Sequence, residues 1–173
     1  MIKTLILYAS IDGQTKKICE YLANHLSEDH DITLGDLAQN KDIDLSTFDK
    51  VIIGGSVRYG RHHESMEAFL TQHKTLLNTQ KTALFSVNAT ARKAGKNTPE
   101  SNVYFTKLIQ KTQVKAKLEA VFAGKIHLSQ YGWFDRFMIK LIFRMGGEAL
   151  GPQAYEFTDW QQVERFALRI QLL

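Results

Sequence analysis

Four near-continuous apolar runs, separated by stretches of helical periodicity, constrain this chain more than any other feature. They are Lys3 to Ala9, Phe48 to Ser56 with Val51-Ile52-Ile53-Gly54-Gly55 at its centre, Lys81 to Val87, and Ala120 to Ile126. A strand that is apolar on both faces must be covered on both faces, which is the condition of a parallel sheet. A weaker strand reads from Asp31 to Leu37. A first helix is predicted from about Thr15 to Glu28, with Ile18, Leu22 and Leu26 on one face. A second runs from Glu64 to Asn78 and turns Phe69, Leu70, His73, Leu76 and Leu77 inward. Thr98-Pro99 suits the start of a third, with Thr98 as cap and Pro99 in the first turn. Thr158-Asp159-Trp160-Gln161 has capping-box form and opens a last helix carrying Trp160, Val163, Ala167 and Ile170 inward. The stretch from Gly35 to Thr47 reads as a loop. Each crossover between parallel strands must return on the same hand, so this alternation predicts an α/β fold with helices on both faces of the sheet. With 173 residues the chain fits a single domain, 1–173.

Composition excludes several classes. Ten Phe, six Tyr and two Trp supply a core and rule out disorder as the main state. One cysteine rules out an intramolecular disulfide and a thiolate zinc site, so no metal is expected. Cys19 reads as a small buried apolar residue, and the chain reads as cytoplasmic. No run approaches the roughly 18 apolar residues of a membrane span. The net charge of +4 is spread over loops and accompanies no RNA or DNA motif, so nucleic acid is not an expected partner.

The polar turn after the first strand, Ser10-Ile11-Asp12-Gly13-Gln14-Thr15, is a candidate phosphate site. Ser10 and Thr15 offer hydroxyl donors, Gly13 permits positive φ and close approach, and the following helix points its free amide groups at the loop. The plain alternative is a strand-to-helix turn capped by Asp12 or Ser10. There is neither a GxxxxGK followed by Ser or Thr nor a GxGxxG, so nucleoside triphosphates and dinucleotides fit poorly. One terminal phosphate, as in flavin mononucleotide (FMN), fits better.

The segment from Leu128 to Tyr155 is too long and too aromatic for an ordinary connection. Within it, Trp133 to Met145 has helical spacing. Trp133, Phe137 and Leu141, with Phe134, Met138, Ile142 and Met145, define a wide apolar face. Arg136, Lys140 and Arg144 form a basic stripe, and Ile139 and Phe143 fall on the polar side. The helix either packs on the sheet with three snorkelling cations or meets a membrane surface or an amphipathic anion. Arg92, Lys93 and Lys96 make the loop after Lys81–Val87 basic, and Arg58, Arg61, His62 and His63 do the same after Val51–Ser56.

Ser10-x-Asp12-Gly13-x-Thr15 after an apolar terminal strand resembles the phosphate loop of flavodoxins. The resemblance implies a three-layer sandwich with a five-stranded parallel sheet in the order 2-1-3-4-5. It also implies FMN held by Ser10, Ile11, Asp12, Gly13, Gln14 and Thr15, and by two further loops. These are Ser56-Val57-Arg58-Tyr59-Gly60, with Tyr59 a candidate to stack on the flavin ring, and Ser86-Val87-Asn88-Ala89. The Asp135-Arg136-Phe137-Met138-Ile139-Lys140-Leu141-Ile142 run is more specific. It resembles the insert of the flavodoxin-like, menaquinone-dependent protoporphyrinogen IX dehydrogenases of bacterial haem synthesis, here residues 128–155. That resemblance implies oxidation of protoporphyrinogen IX, with electrons passed to menaquinone or ubiquinone at the cytoplasmic face of the inner membrane. It makes Arg92, Arg136 and Lys140 candidate partners of the substrate carboxylates, and His62, His63 and Tyr59 candidates for proton transfer. A flavodoxin-like electron carrier and an NAD(P)H:quinone oxidoreductase are the alternatives.

Overall fold

The computed structural model describes every residue except Pro152. In chain order the elements are β1 (Ile2–Ala9), α1 (Gln14–Leu26), β2 (His30–Asp36), β3 (Lys50–Arg58), β4 (Arg61–His62), α2 (Glu64–Gln72) and α3 (Lys74–Thr79). They continue with β5 (Lys81–Asn88), α4 (Val103–Thr112), β6 (Leu118–Ala123), β7 (Lys125–His127), α5 (Trp133–Met145), β8 (Ala154–Glu156) and α6 (Trp160–Gln171).

Five strands form a parallel sheet in the order β2-β1-β3-β5-β6. This is the order implied by the sequence; only the numbering shifts, because β4 folds back antiparallel on β3 with Val57 opposite His62 and Arg58 opposite Arg61. Register aligns Tyr8, Gly54, Phe85 and Ala120 across the middle strands. Their carboxyl ends therefore finish along one edge, where ligands of open α/β sheets bind.

Alternation along the strands builds two cores. Leu5, Leu7, Val51, Ile53, Leu84 and Val121 face α2, α3 and α4 through Met66, Phe69, Leu77 and Phe105. Ile6, Ile52, Phe85 and Phe122 face α1 and α6 through Ile18, Cys19, Leu22, Val163, Phe166 and Ile170. Close approach explains Gly55 in the middle of a strand: a Cβ there would lie 1.9 Å from Met66 Sδ.

Several sequence expectations are corrected. The helix read over Glu64 to Asn78 breaks at His73, whose backbone leaves helical values while its ring packs 4.4 Å from that of Phe69. Thr98-Pro99 does not open a helix. Thr98 and Ser101 bond each other in a turn, and α4 starts at Val103 with Asn102 accepting from the Phe105 amide at 3.2 Å. The run Ala120 to Ile126 is two strands, divided at Gly124. Asp159, not Thr158, caps α6, accepting from the amides of Gln161 and Gln162. Thr158 instead donates its hydroxyl to the Ala123 carbonyl at 2.7 Å.

The out-of-pattern segment is closed at its base. β7 and β8 pair antiparallel, with His127 opposite Ala154, and α5 projects between them. α5 spans the residues its periodicity predicts, but it docks the other way round. Phe143, 5% exposed, and Ile139 anchor it against Ile126 and Leu128, although both read as polar-side residues. The wide apolar face is divided: Phe134, Met138 and Ile142 border a cavity, while the rest is left open, with Trp133 and Met145 each 80% exposed. No helix among the described residues is long and apolar enough to cross a membrane.

Candidate functional site

A cavity of about 520 Å³ opens at the carboxyl ends of β1, β3 and β5, within the size range of small-molecule sites. Its first wall is the loop between β1 and α1. Gly13 holds φ at +84°, a value that admits glycine and strains other residues, and so turns the chain into α1. Ser10 Oγ accepts from the Gly13 amide at 3.1 Å. Thr15 is buried, lines the cavity, and its hydroxyl has no hydrogen-bond partner among the described residues. A buried hydroxyl costs free energy unless something bonds it, so an acceptor in the cavity would satisfy it. With the first amides of α1, this loop presents neutral donors and the positive end of a helix dipole. That chemistry fits a phosphate.

Gln14 lines the cavity but serves a different contact with its side chain. Its Nε2 donates to Glu156 Oε1 at 2.8 Å and to Thr158 Oγ1 at 2.9 Å. Glu156 also accepts from Trp160 Nε1 at 3.0 Å, and the bond from Gln14 is the main cause that lowers its carboxyl below the ordinary value. Nothing local in the sequence signals a tie to a residue so distant. Ile11, exposed, lies outside the cavity wall.

The second wall is the end of β3, Ser56 to Gly60. Tyr59 is exposed, and its hydroxyl donates to Asp135 Oδ2 of α5 at 2.7 Å. The Arg58 guanidinium lies between two rings, 5.2 Å from the centroid of Tyr59 and 4.9 Å from that of Tyr131. Tyr131 in turn donates to Asp12 Oδ2 at 3.2 Å. Burial first, and then the nearby Asp12 carboxylate, push the Tyr131 phenol up to about 12, so it stays a donor at neutral pH. Tyr131 was not among the residues singled out from the sequence; only the tertiary fold brings it to the phosphate loop.

The third wall is Val87, Asn88 and Ala89. Ser86 is fully buried and does not line the cavity. It belongs to a hydrogen-bond chain behind the wall. His62 Nε2 meets Ser86 Oγ at 2.7 Å, and Asn88 Nδ2 donates to the same oxygen at 3.1 Å. Asn88 and Asn102 exchange amide bonds at 3.0 and 3.2 Å. Asn88 Oδ1 also accepts from the Ala91 amide at 3.1 Å. The Asn88 side chain is therefore spent on holding its own loop. Burial lowers His62 to about 4, which keeps it neutral, and His63 caps α2 by accepting from the Ser65 amide. Neither histidine lines the cavity.

The fourth wall is α5, through Phe134, Met138, Ile139, Ile142 and Phe143. Of the three cations tied to substrate by the sequence, only Arg92 lines the cavity. It stacks 4.1 Å from the Phe143 ring centroid and pairs with Glu148 at 3.1 Å, so its charge is compensated. Arg136 and Lys140 lie outside the wall, and Arg136 donates to the Tyr131 carbonyl at 3.2 Å. Spacings of three, four and seven residues set Arg136 and Lys140 beside Ile139 and Phe143 on the docked side of α5, yet neither reaches the cavity. Lys93 and Lys125 take their place as cations in the wall.

Comparison with known proteins agrees with this geometry. Residues 5–150 match the model of the flavodoxin domain. The chain is 40% identical over 171 residues to the protoporphyrinogen IX dehydrogenase (quinone) of Escherichia coli strain K12, covering 98% of this chain and 94% of that one. It is 36% identical over 168 residues to the enzyme of the same name from Leishmania major, covering 95% of this chain and 73% of that one. Among solved structures, oxidised flavodoxin 2 from Bacillus cereus superimposes with a TM-score of 0.57 at 19% identity, covering 98% of both chains. The chain belongs to the flavodoxin-domain family, and within it to the group of relatives named protoporphyrinogen IX dehydrogenase.

Proposed function

We propose that this protein binds FMN and oxidises protoporphyrinogen IX to protoporphyrin IX, passing the electrons to a membrane quinone, menaquinone or ubiquinone. The observation that carries the reading is the continuity of one cavity from a phosphate-type loop at Ser10–Thr15 to the apolar wall of α5. A plain electron carrier needs the first half only. When bound, the flavin supplies the redox chemistry, accepting hydride equivalents from the macrocycle in two-electron steps.

The chain's own residues supply binding and orientation. Ser10, the amides that follow Gly13, and the unpartnered Thr15 hydroxyl hold the phosphate with neutral donors. Ser56 to Gly60 and Val87 to Ala89 flank the ring site, and the exposed Tyr59 ring offers a stacking surface. Phe134, Met138, Ile139 and Ile142 exclude water from a flat apolar substrate. Lys93 and Lys125 face its carboxylates.

The outward side of α5 serves the membrane. Trp133, Phe137 and Leu141 enter the interface, and Arg136, Lys140 and Arg144 meet anionic head groups. The protein then works peripherally at the cytoplasmic face of the inner membrane, where a lipid-soluble quinone is reached.

The test is an anaerobic visible spectrum of the FMN-reconstituted protein before and after adding protoporphyrinogen IX. Flavin bands should bleach while porphyrin bands rise, and added quinone should restore the flavin bands. Bound flavin that stays oxidised in the presence of substrate selects the electron-carrier alternative.

A further inference from the structure

The cavity wall carries four cationic side chains, Arg58, Arg92, Lys93 and Lys125, and two carboxylates, Asp12 and Asp135. Their surroundings differ. Arg92 pairs with Glu148, and each carboxylate accepts a tyrosine hydroxyl. Arg58 pairs with no Asp or Glu among the described residues. Its partner in the β3–β4 hairpin register is another cation, Arg61. Its Nε is buried without a hydrogen-bond partner, although a guanidinium has five donors to satisfy. The charge is nonetheless held in place, between the rings of Tyr59 and Tyr131. Those rings are fixed in turn by Asp135 and Asp12. A positive charge with no ion-pair partner among the described residues thus stands oriented at the carboxyl end of β3.

Resting on the FMN reading above, we propose that Arg58 sets the reduction potential of the bound flavin. Accepting a hydride brings two electrons and one proton to the ring, which becomes one unit more negative. A fixed cation in a partly desolvated wall stabilises that product and not the neutral oxidised ring. Arg58 therefore raises the two-electron potential and makes the site a hydride acceptor. The tyrosine sandwich keeps the guanidinium from turning to solvent, where salt would screen it.

The experiment is an anaerobic dye-equilibrated redox titration of the FMN-loaded protein, paired with fluorescence titration of oxidised FMN. Arg58→Gln should lower the two-electron midpoint by about 30 mV or more, equal to a tenfold weaker hold on reduced relative to oxidised flavin. Oxidised FMN, whose ring carries no charge for Arg58 to meet, should lose at least tenfold less affinity than reduced FMN. Arg58→Lys should retain most of the potential. Arg58→Met, which keeps an unbranched stem between the two rings, replaces Gln if that variant fails to fold. The exposed Lys115→Gln is the control and should leave the potential unmoved. A neutral Arg58 variant with an unchanged potential overturns the inference and leaves the flavin reading intact. An Arg58→Lys potential as low as that of Gln overturns the charge argument in favour of ring stacking. A wild-type chain that holds no FMN overturns the flavin reading and this inference with it.

Discussion

His62 shows how a single buried group ties the site to the solvent. The imidazole is 3% exposed, and burial lowers it from about 6.5 to about 4. Ser86 Oγ accepts from Asn88 Nδ2 and also meets His62 Nε2, a contact that a neutral imidazole makes in either tautomer. A folded-state value below the unfolded one gives stability that is complete above pH 6.5. That stability drains as pH falls toward 4, because the unfolded chain takes up a proton the folded chain refuses. Between pH 7 and pH 4.5 this one group accounts for about 2–3 kcal/mol. Urea unfolding at the two pH values should show the loss in wild type. His62→Gln should show a difference smaller by that amount, and equal slopes in both proteins would refute the assignment. The sequence points to Ser86 and Asn88 as cofactor contacts, and in the fold their side chains bond each other, His62 and Asn102. An Asn or Ser at a strand end looks the same whether it faces a ligand or braces a loop. Its partner Asn102 lies 14 residues away and becomes visible only when α4 folds back.

At the level of elements, α5 carries two apolar stripes where its sequence suggested one face. Phe134, Met138 and Ile142 line the cavity; Trp133, Phe137, Leu141 and Met145 face outward beside Arg136, Lys140 and Arg144. Local periodicity fixes the length of a helix and the width of its apolar sector, so both were legible. It does not fix the rotation at which the helix docks. That depends on Phe143 finding Arg92 and Phe157, two residues far from the helix in sequence. If the outward stripe meets a bilayer, Trp133→Ser with Phe137→Ser should abolish flotation with anionic phospholipid vesicles. FMN binding should stay unchanged, because neither residue lines the cavity. Undiminished flotation of the double variant would remove the membrane from the functional reading.

Across the whole molecule, the parallel sheet was the most legible feature, because strands covered on both faces are written as unbroken apolar runs. The loops at their carboxyl ends followed from the strand order. Less legible was the β7–β8 ribbon: each strand has three residues, too few for any period to register. That ribbon has an architectural consequence. His127 stands directly opposite Ala154, so the chain leaves the ribbon and returns to it at neighbouring points. Residues 128–153 are a cassette on a closed base. A two-residue Asn-Gly hairpin can bridge such a base, and swapping it in leaves both cores untouched. The trimmed chain should fold cooperatively and hold FMN, yet lose porphyrinogen turnover; a trimmed chain that still turns over substrate would show that the cassette is dispensable. Loss of turnover with FMN retained would make porphyrinogen oxidation a property of the cassette rather than of the sheet, portable in principle to any sheet of the same order that offers two strand ends a hairpin's width apart.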